Sequence, residues 1–313
     1  MTVALFIVGV AALAILASYA WYAHDLAAAR ARLTGRSVTL ETSFGRLEYA
    51  VVGEGEPLLV VHGASGGFDQ ALDMTGAVVD GGYRIIAPSR FGYLRSSIPP
   101  DATAAQQADA YVQLLDHLGI DRVDVVGISA GAWSSLQFAV RHPERCRALV
   151  LLVPADALPP GTSNHGGALV RAIVGSDILA WMALKLMPIL PDKVTQMMLG
   201  TDATVVRAAE PSERARVENI LQHLLPVSPR LAGMQLDIKT AVAPAPIPLE
   251  RITCPVLAIS AEDDGFGTAS RARSLAGAVR DGRAIVFPTG GHALVGHYGD
   301  ALRETESFFR ANR

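Results

Sequence analysis

Charge is scarce in this chain and cysteine almost absent. Charged residues make up 18% and hydrophobic residues 50%, so a large buried core is expected and disorder is not. The formal net charge of −3 gives no reason to expect nucleic acid or another acidic surface as a partner. Two cysteines, Cys146 and Cys254, cannot by themselves build a disulfide framework or a zinc site. Each stands beside an apolar strand-like run, as buried structural thiols do, and so sparse a usage fits a reducing compartment. Beyond a general richness in alanine, the chain has neither an internal repeat nor a low-complexity region.

The sharpest absence is local. From Val3 to Ala23 there is no charged residue, and no Lys or Arg precedes the run. About 20 apolar residues suffice to cross the hydrocarbon core as a helix. Tyr19, Trp21 and Tyr22 cluster at the far end, where amphipathic rings favour the membrane interface. Residues 1–35 therefore read as an uncleaved membrane anchor and short helical stalk ending near Gly35. The rival reading is a signal peptide cut near Ser18-Tyr19-Ala20, with export of the remainder. It lacks a basic leader, and the run is long for a signal core. A buried helix is the third reading. Arg30, Arg32 and Arg36 follow the run, which favours a single-pass arrangement with the following domain on the cytoplasmic side.

At 313 residues the chain can form one large domain carrying an insertion. Strand-like runs at 37–41, 46–52, 58–61, 83–87, 123–128 and 148–153 alternate, after a first hairpin, with helical stretches at 69–79, 104–118 and 132–138. Thr103 is a candidate N-cap for the second of these. Strands alternating with helices at this spacing indicate βαβ units and a mostly parallel sheet. The alternation stops at Pro154 and resumes with a strand at 256–260, a helix at 269–279, a strand at 284–287 and a closing helix at 298–311. The expected organisation is an α/β core over 36–154 and 249–313. A helical cap over 155–248 is inserted in it, bounded by Pro159-Pro160-Gly161 and the proline-punctuated 243–248 linker.

The stretch 123–132 carries the chemistry. A β-branched run leads into Gly127-Ile128-Ser129-Ala130-Gly131, and a helix-compatible segment follows at once. A serine hydroxyl is a weak nucleophile, and a tight strand-to-helix turn presents it to a base. Serine chemistry also needs a third group to orient that base, and in an open α/β sheet such groups belong at the carboxyl ends of strands. Two later strand ends supply them: Glu262-Asp263-Asp264 after Ser260, and Gly290-Gly291-His292 after Phe287. The chain order is serine, acid, histidine.

With Val61-His62-Gly63, Ser89-Arg90-Phe91-Gly92-Tyr93, the serine elbow, the acidic loop and Gly290-Gly291-His292, the sequence resembles the α/β-hydrolase superfamily over residues 38 to 312. Within it, the capped branch of small esterases and lipid-ester hydrolases is the likeness. The resemblance implies an α/β-hydrolase fold and a triad of Ser129, Asp264 and His292. Asp264 stands three residues after Ala261, at the position where relatives carry a glycine; Asp263 is the second choice, and Glu262 reads as solvated. It implies an oxyanion hole from the N–H groups of Ala64 and Ala130, and no metal or organic cofactor. His62 reads as support for its loop; His165 and His297 read as hydrogen-bonded loop residues. Pro88-Ser89-Arg90 departs from the Asp that many relatives carry before this loop. Ser129 replaces the Asp nucleophile of epoxide-opening and dehalogenating relatives, whose activities it argues against.

The expected function is hydrolysis of small carboxylic esters, acyl or lipid-like, through an acyl-enzyme at a membrane surface. Carbon–carbon bond hydrolysis, thioester hydrolysis and acyl transfer use the same triad and remain open, as does a silent hydrolase-fold binding protein. Trp181, Met182, Leu184, Leu186, Met187, Ile189, Leu190, Met197 and Met198 in the cap suit an adaptable apolar pocket, or equally the cap's own core.

Overall fold

A computed structural model describes residues 2–79, 82–155, 157, 172–187 and 191–313, with backbone only at 2–4, 76–79 and 191–194. Helix α1 (Thr2–Leu33) leads into the hairpin β1 (Val38–Thr42) and β2 (Gly45–Val52). The alternating part follows: β3 (Glu56–Val61), α2 (Phe68–Val79), β4 (Tyr83–Pro88), α3 (Ala104–His117), β5 (Val123–Ile128), α4 (Ala132–Arg141) and β6 (Cys146–Leu152). After the helices α5 (Asp177–Leu186), α6 (Pro191–Leu199), α7 (Ala203–Ala208), α8 (Pro211–Gln222) and α9 (Leu231–Val242), the alternation closes with β7 (Val256–Ala261), α10 (Thr268–Ala278), β8 (Gly282–Phe287) and α11 (Tyr298–Ala311). Among the described residues, no strand falls between β6 and β7.

The eight strands form one sheet in the order β1-β2-β4-β3-β5-β6-β7-β8. β1 and β2 are antiparallel to their neighbours and the other pairs are parallel. The exchange of β3 and β4 makes β5, with β3 beside it, the centre of the sheet. The central strands are buried on both faces, as their continuous apolar runs require, and two apolar layers sandwich the sheet. Thr103 caps α3 in a reciprocal capping box with Gln106, which satisfies two backbone donors at the helix start. Cys146 and Cys254 are free, buried thiols with their sulfurs 3.6 Å apart.

The amino-terminal helix divides into two parts. Its first turns are exposed, and an 18-residue stretch of mean hydropathy 2.0 contains no buried residue. Its last turns are not a free stalk. Leu26 and Ala29 are buried, Tyr22 meets the Trp181 ring edge-on, and Asp25 accepts from Trp181 Nε1 at 2.9 Å. Arg32 donates to the carbonyls of His223 and Leu225. The helix therefore leaves its apolar run already docked on the inserted helices, because Trp181 and Leu225 offer apolar surface that a solvated stalk would leave exposed.

At the amino-terminal end of β5, away from the serine turn, Asp124 is fully buried, and neither carboxylate oxygen has a hydrogen-bond partner among the described residues. Arg147 lies 3.7 Å away but pairs more closely with Glu56, at 2.8 Å. Burial pushes the Asp124 carboxyl up to about 6, the Arg147 charge opposing it. A carboxyl raised in the fold above its unfolded value stabilises fully below the unfolded pKa and loses that contribution as pH rises through 6. Asp124→Asn is accordingly expected to raise unfolding free energy by about 1–3 kcal/mol at pH 8, with no gain at pH 3.5. Urea titrations at the two pH values check this.

Candidate active site

The turn after β5 has the strain that its sequence requires. Ser129 sits at φ 49°, in the left-handed region that a non-glycine residue adopts only when its surroundings impose it. Its two glycine neighbours allow close approach on either side. A Cβ on Gly131 would lie 2.5 Å from the carbonyl oxygens of Val61 and His62, and one on Gly127 would lie 2.6 Å from Ser135 Oγ. A short 3-10 turn over Ser129–Gly131 runs directly into α4. The N–H of Ala130 thus lies at a helix start, where the dipole favours negative charge.

The strand ends of β7 and β8 bring the partners. His292 Nε2 lies 3.0 Å from Ser129 Oγ, and its Nδ1 lies 2.8 Å from Asp264 Oδ2. Asp264 is buried and also accepts from the Phe266 N–H at 2.8 Å and from the Thr268 hydroxyl. Burial raises its carboxyl, but the charge and hydrogen bond of His292, with those of Thr268 and Phe266, outweigh that and hold it below the usual carboxylate range. It is therefore ionised across the neutral range, and can hold the histidine with Nδ1 protonated and Nε2 free to accept. Serine, imidazole and carboxylate thus have the mutual geometry of a nucleophile, a general base and its orienting group.

The adjacent carboxylates do other things. Asp263 accepts from the backbone N–H groups of Gly290 and Gly291, at 3.2 and 2.8 Å, and so shapes the turn that carries His292 without touching its ring. Glu262 is exposed and pairs with Arg273. His62 is fully buried; its Nε2 accepts from the Arg90 N–H at 2.9 Å, which leaves Nδ1 to donate to the Gly63 carbonyl at 2.7 Å. Burial, then the nearby Arg90 charge, holds it well below its ordinary pKa and therefore neutral. It fixes the loop that carries Ala64. His297 stacks on Phe287, with ring centroids 4.6 Å apart. His165 lies outside the described residues.

A cavity of about 220 Å³ opens beside Ser129 and His292. Ala64 lines its wall, with Met197, Met198, Leu224 and Phe266 among the apolar residues around it. Phe266 meets the His292 ring edge-on at 4.8 Å. No described lining residue is Lys, Arg, Asp or Glu. The apolar residues of the insertion divide their work. Met197 and Met198 line the cavity, whereas Trp181 is buried against α1 and Met182 and Leu186 are exposed. Leu184 and Met187 pack against the cluster of Leu199, Leu221 and Leu224. Ile189 and Leu190 lie outside the described residues.

Two largely buried ion pairs tie the insertion to Arg90 after β4 and to Asp69 on α2, and no local pattern announced them. Arg90 forms a fork with Asp237 of α9, at 2.6 and 2.7 Å, and also donates to the Gly63 carbonyl at 3.0 Å. Tyr93 donates to the same carboxylate. Arg230, completely buried, pairs with both oxygens of Asp69 and donates to the Gly66 carbonyl. Both carbonyls belong to the segment that contains Ala64.

A family model described as alpha/beta hydrolase fold matches residues 56–296. The chain belongs to the α/β-hydrolase fold family. Similar proteins include an uncharacterized hydrolase of Bacillus subtilis, YcgS, 31% identical over 83% of this chain and 92% of its own. A Comamonas testosteroni protein named 2-hydroxy-6-oxononadienedioate/2-hydroxy-6-oxononatrienedioate hydrolase is 25% identical over 85% of this chain and 92% of its own. Among solved structures, an alpha/beta hydrolase fold protein from Nakamurella multipartita superposes with a TM-score of 0.72 at 27% identity, over 88% of this chain and all of that one. This α/β hydrolase therefore shares its architecture with bacterial proteins named as hydrolases.

Proposed function

We propose that this α/β hydrolase cleaves neutral, apolar carboxylic esters through an acyl-enzyme on Ser129. The observation that carries the reading is the hydrogen-bonded series Asp264–His292–Ser129 opening on an apolar cavity without a cation among its described lining residues. In this reading His292 Nε2 takes the Ser129 proton as Oγ attacks the ester carbonyl, and the N–H groups of Ala64 and Ala130 receive the developing oxyanion. His292 then gives the proton to the departing alcohol. Water, deprotonated by the same nitrogen, releases the acid and restores the serine.

A second reading comes from the relatives. Several carry names of hydrolases acting on 2-hydroxy-6-oxo dienoates, and carbon–carbon cleavage would use the same three side chains. A carboxylate substrate of that kind needs counter-charge where it binds, and the described cavity lining offers none. That favours the ester. The remaining element is location: we take the exposed apolar part of α1 as a membrane anchor, supported by its length and hydropathy, with the catalytic domain on the side of Arg30, Arg32 and Arg36.

A fluorophosphonate probe followed by peptide mapping tests the chemistry. The expected result is a single adduct on Ser129, with p-nitrophenyl butyrate and octanoate turned over and a 2-hydroxy-6-oxo dienoate left intact. Rapid cleavage of the dienoate with inert esters would overturn the ester reading in favour of the second.

A further inference from the structure

We infer that the carboxyl-terminal end of α5 is a second membrane contact, its exposed apolar residues entering the bilayer surface beside α1. The inference rests on the anchoring role proposed for α1 and extends it to the cap.

Three observations carry it. First, Ile178, Leu179, Met182 and Leu186 are all more than a third exposed, at 41%, 38%, 48% and 45%. At positions i, i+1, i+4 and i+8 of one helix they form a stripe along one side, whereas Ala180, Trp181 and Ala183 turn inward. Second, α5 runs antiparallel to α1. Asp177 faces Arg30 at 3.9 Å, Trp181 meets Trp21 and Tyr22 edge-on at 5.6 and 5.7 Å, and the Lys185 ammonium lies 4.4 Å over the Trp21 ring. The carboxyl end of α5 is therefore level with the aromatic end of the apolar run. At 1.5 Å rise per residue, Leu186 lies about 7.5 Å farther than Trp181 along α5 toward the bilayer. Third, the polar groups at this level suit an interface. Lys185, paired with Asp25 at 2.8 Å, stands over the rings of Trp21 and Trp181, the company that an amphipathic cation keeps at a headgroup layer.

The consequence for substrate is geometric. Leu225 packs with Ala29 and Trp181 against α1, while its neighbour Leu224 lines the cavity beside Ser129. Consecutive residues of the cap thus touch α1 and the site, so the α1–α5 assembly and the cavity beside Ser129 are joined through one short segment.

The test uses the full chain in phosphatidylcholine vesicles. Nitrobenzoxadiazole is attached at Leu13→Cys, Leu186→Cys or Arg310→Cys, with wild type carried through the same labelling as background for the buried Cys146 and Cys254, and doxyl-labelled lipid serves as quencher. Quenching at positions 13 and 186 with none at 310 is expected. Quenching at 13 alone overturns the α5 contact and leaves the anchor standing; quenching at neither overturns both. A kinetic arm uses Met182→Glu/Leu186→Glu. It is expected to lower kcat/KM about tenfold for a long-chain ester presented in the vesicles, with turnover of soluble p-nitrophenyl butyrate unchanged. Equal loss on both substrates would mean a structural defect in the cap and would overturn the inference.

Discussion

Ser129→Ala is expected to abolish turnover, lowering kcat by about 10⁶-fold, and Asp264→Asn to lower it by about 10⁴-fold, as in serine hydrolases whose triads have been dissected. Asp263→Asn, one residue away, is expected to leave kcat near the native value. The contrast follows from what each carboxylate faces. Asp264 meets His292 Nδ1, and an amide there can donate to Nδ1 and place the imidazole proton on Nε2, where it blocks acceptance from the serine. Asp263 accepts from the Gly290 and Gly291 N–H groups, one on each oxygen, so an amide there keeps one of the two bonds and leaves the Asp264–His292 contact in place. Steady-state kinetics on a soluble ester, with circular dichroism to verify folding, separates the three variants. A loss in Asp263→Asn as large as that in Asp264→Asn would reverse the assignment of the acid.

The second large effect is on stability. Arg230→Met is expected to destabilise the protein by about 3–5 kcal/mol, since removing one partner leaves the other a buried, uncompensated charge. Arg230 and Asp69 are 0% and 1% exposed, so little solvent is available to take up that charge. Burial raises the Asp69 carboxyl, and the Arg230 charge and hydrogen bonds outweigh it, so it titrates below its ordinary value. Its contribution is present above the unfolded carboxylate pKa and is lost as pH falls through the depressed one. The double variant Arg230→Met/Asp69→Leu, which removes both charges, is expected to recover most of the loss. Urea unfolding in detergent micelles at pH 7 provides the comparison; an additive double variant would show that the pair is not coupled. Because the Gly66 carbonyl shares Arg230, the single variant should also loosen the loop that carries Ala64.

How far each feature was legible depends on how local its physics is. The serine turn needs only neighbours in sequence: a strand, two glycines that permit close approach, and a helix start. Its strained φ and tight contacts follow from residues 127–135 and from 61–62 directly beneath them. The parallel sheet was equally plain, since strands covered on both faces must be continuously apolar. That His292 belongs with Ser129 could be anticipated from its place at a strand end.

The acid was a harder matter. Three consecutive carboxylates follow β7, and composition alone cannot say which turns toward the ring. The backbone N–H groups of Gly290 and Gly291 engage one of them and His292 engages its neighbour, a division made only when β8 pairs with β7. The apolar residues of the cap posed the same problem. A methionine or leucine in a helix carries no mark of whether it faces a cavity, a core or the outer surface, and the structure shows all three environments.

Composition and order in the chain thus determined the α/β-hydrolase frame, the serine elbow and the apolar run at the amino terminus. Tertiary structure alone decided how the cap is held: Arg90 on Asp237, Arg230 on Asp69, and Trp181 on the end of α1. These partners stand more than 140 residues apart. A single buried charge has no period and no neighbour in sequence to betray it, so its partner exists only once the chain has folded.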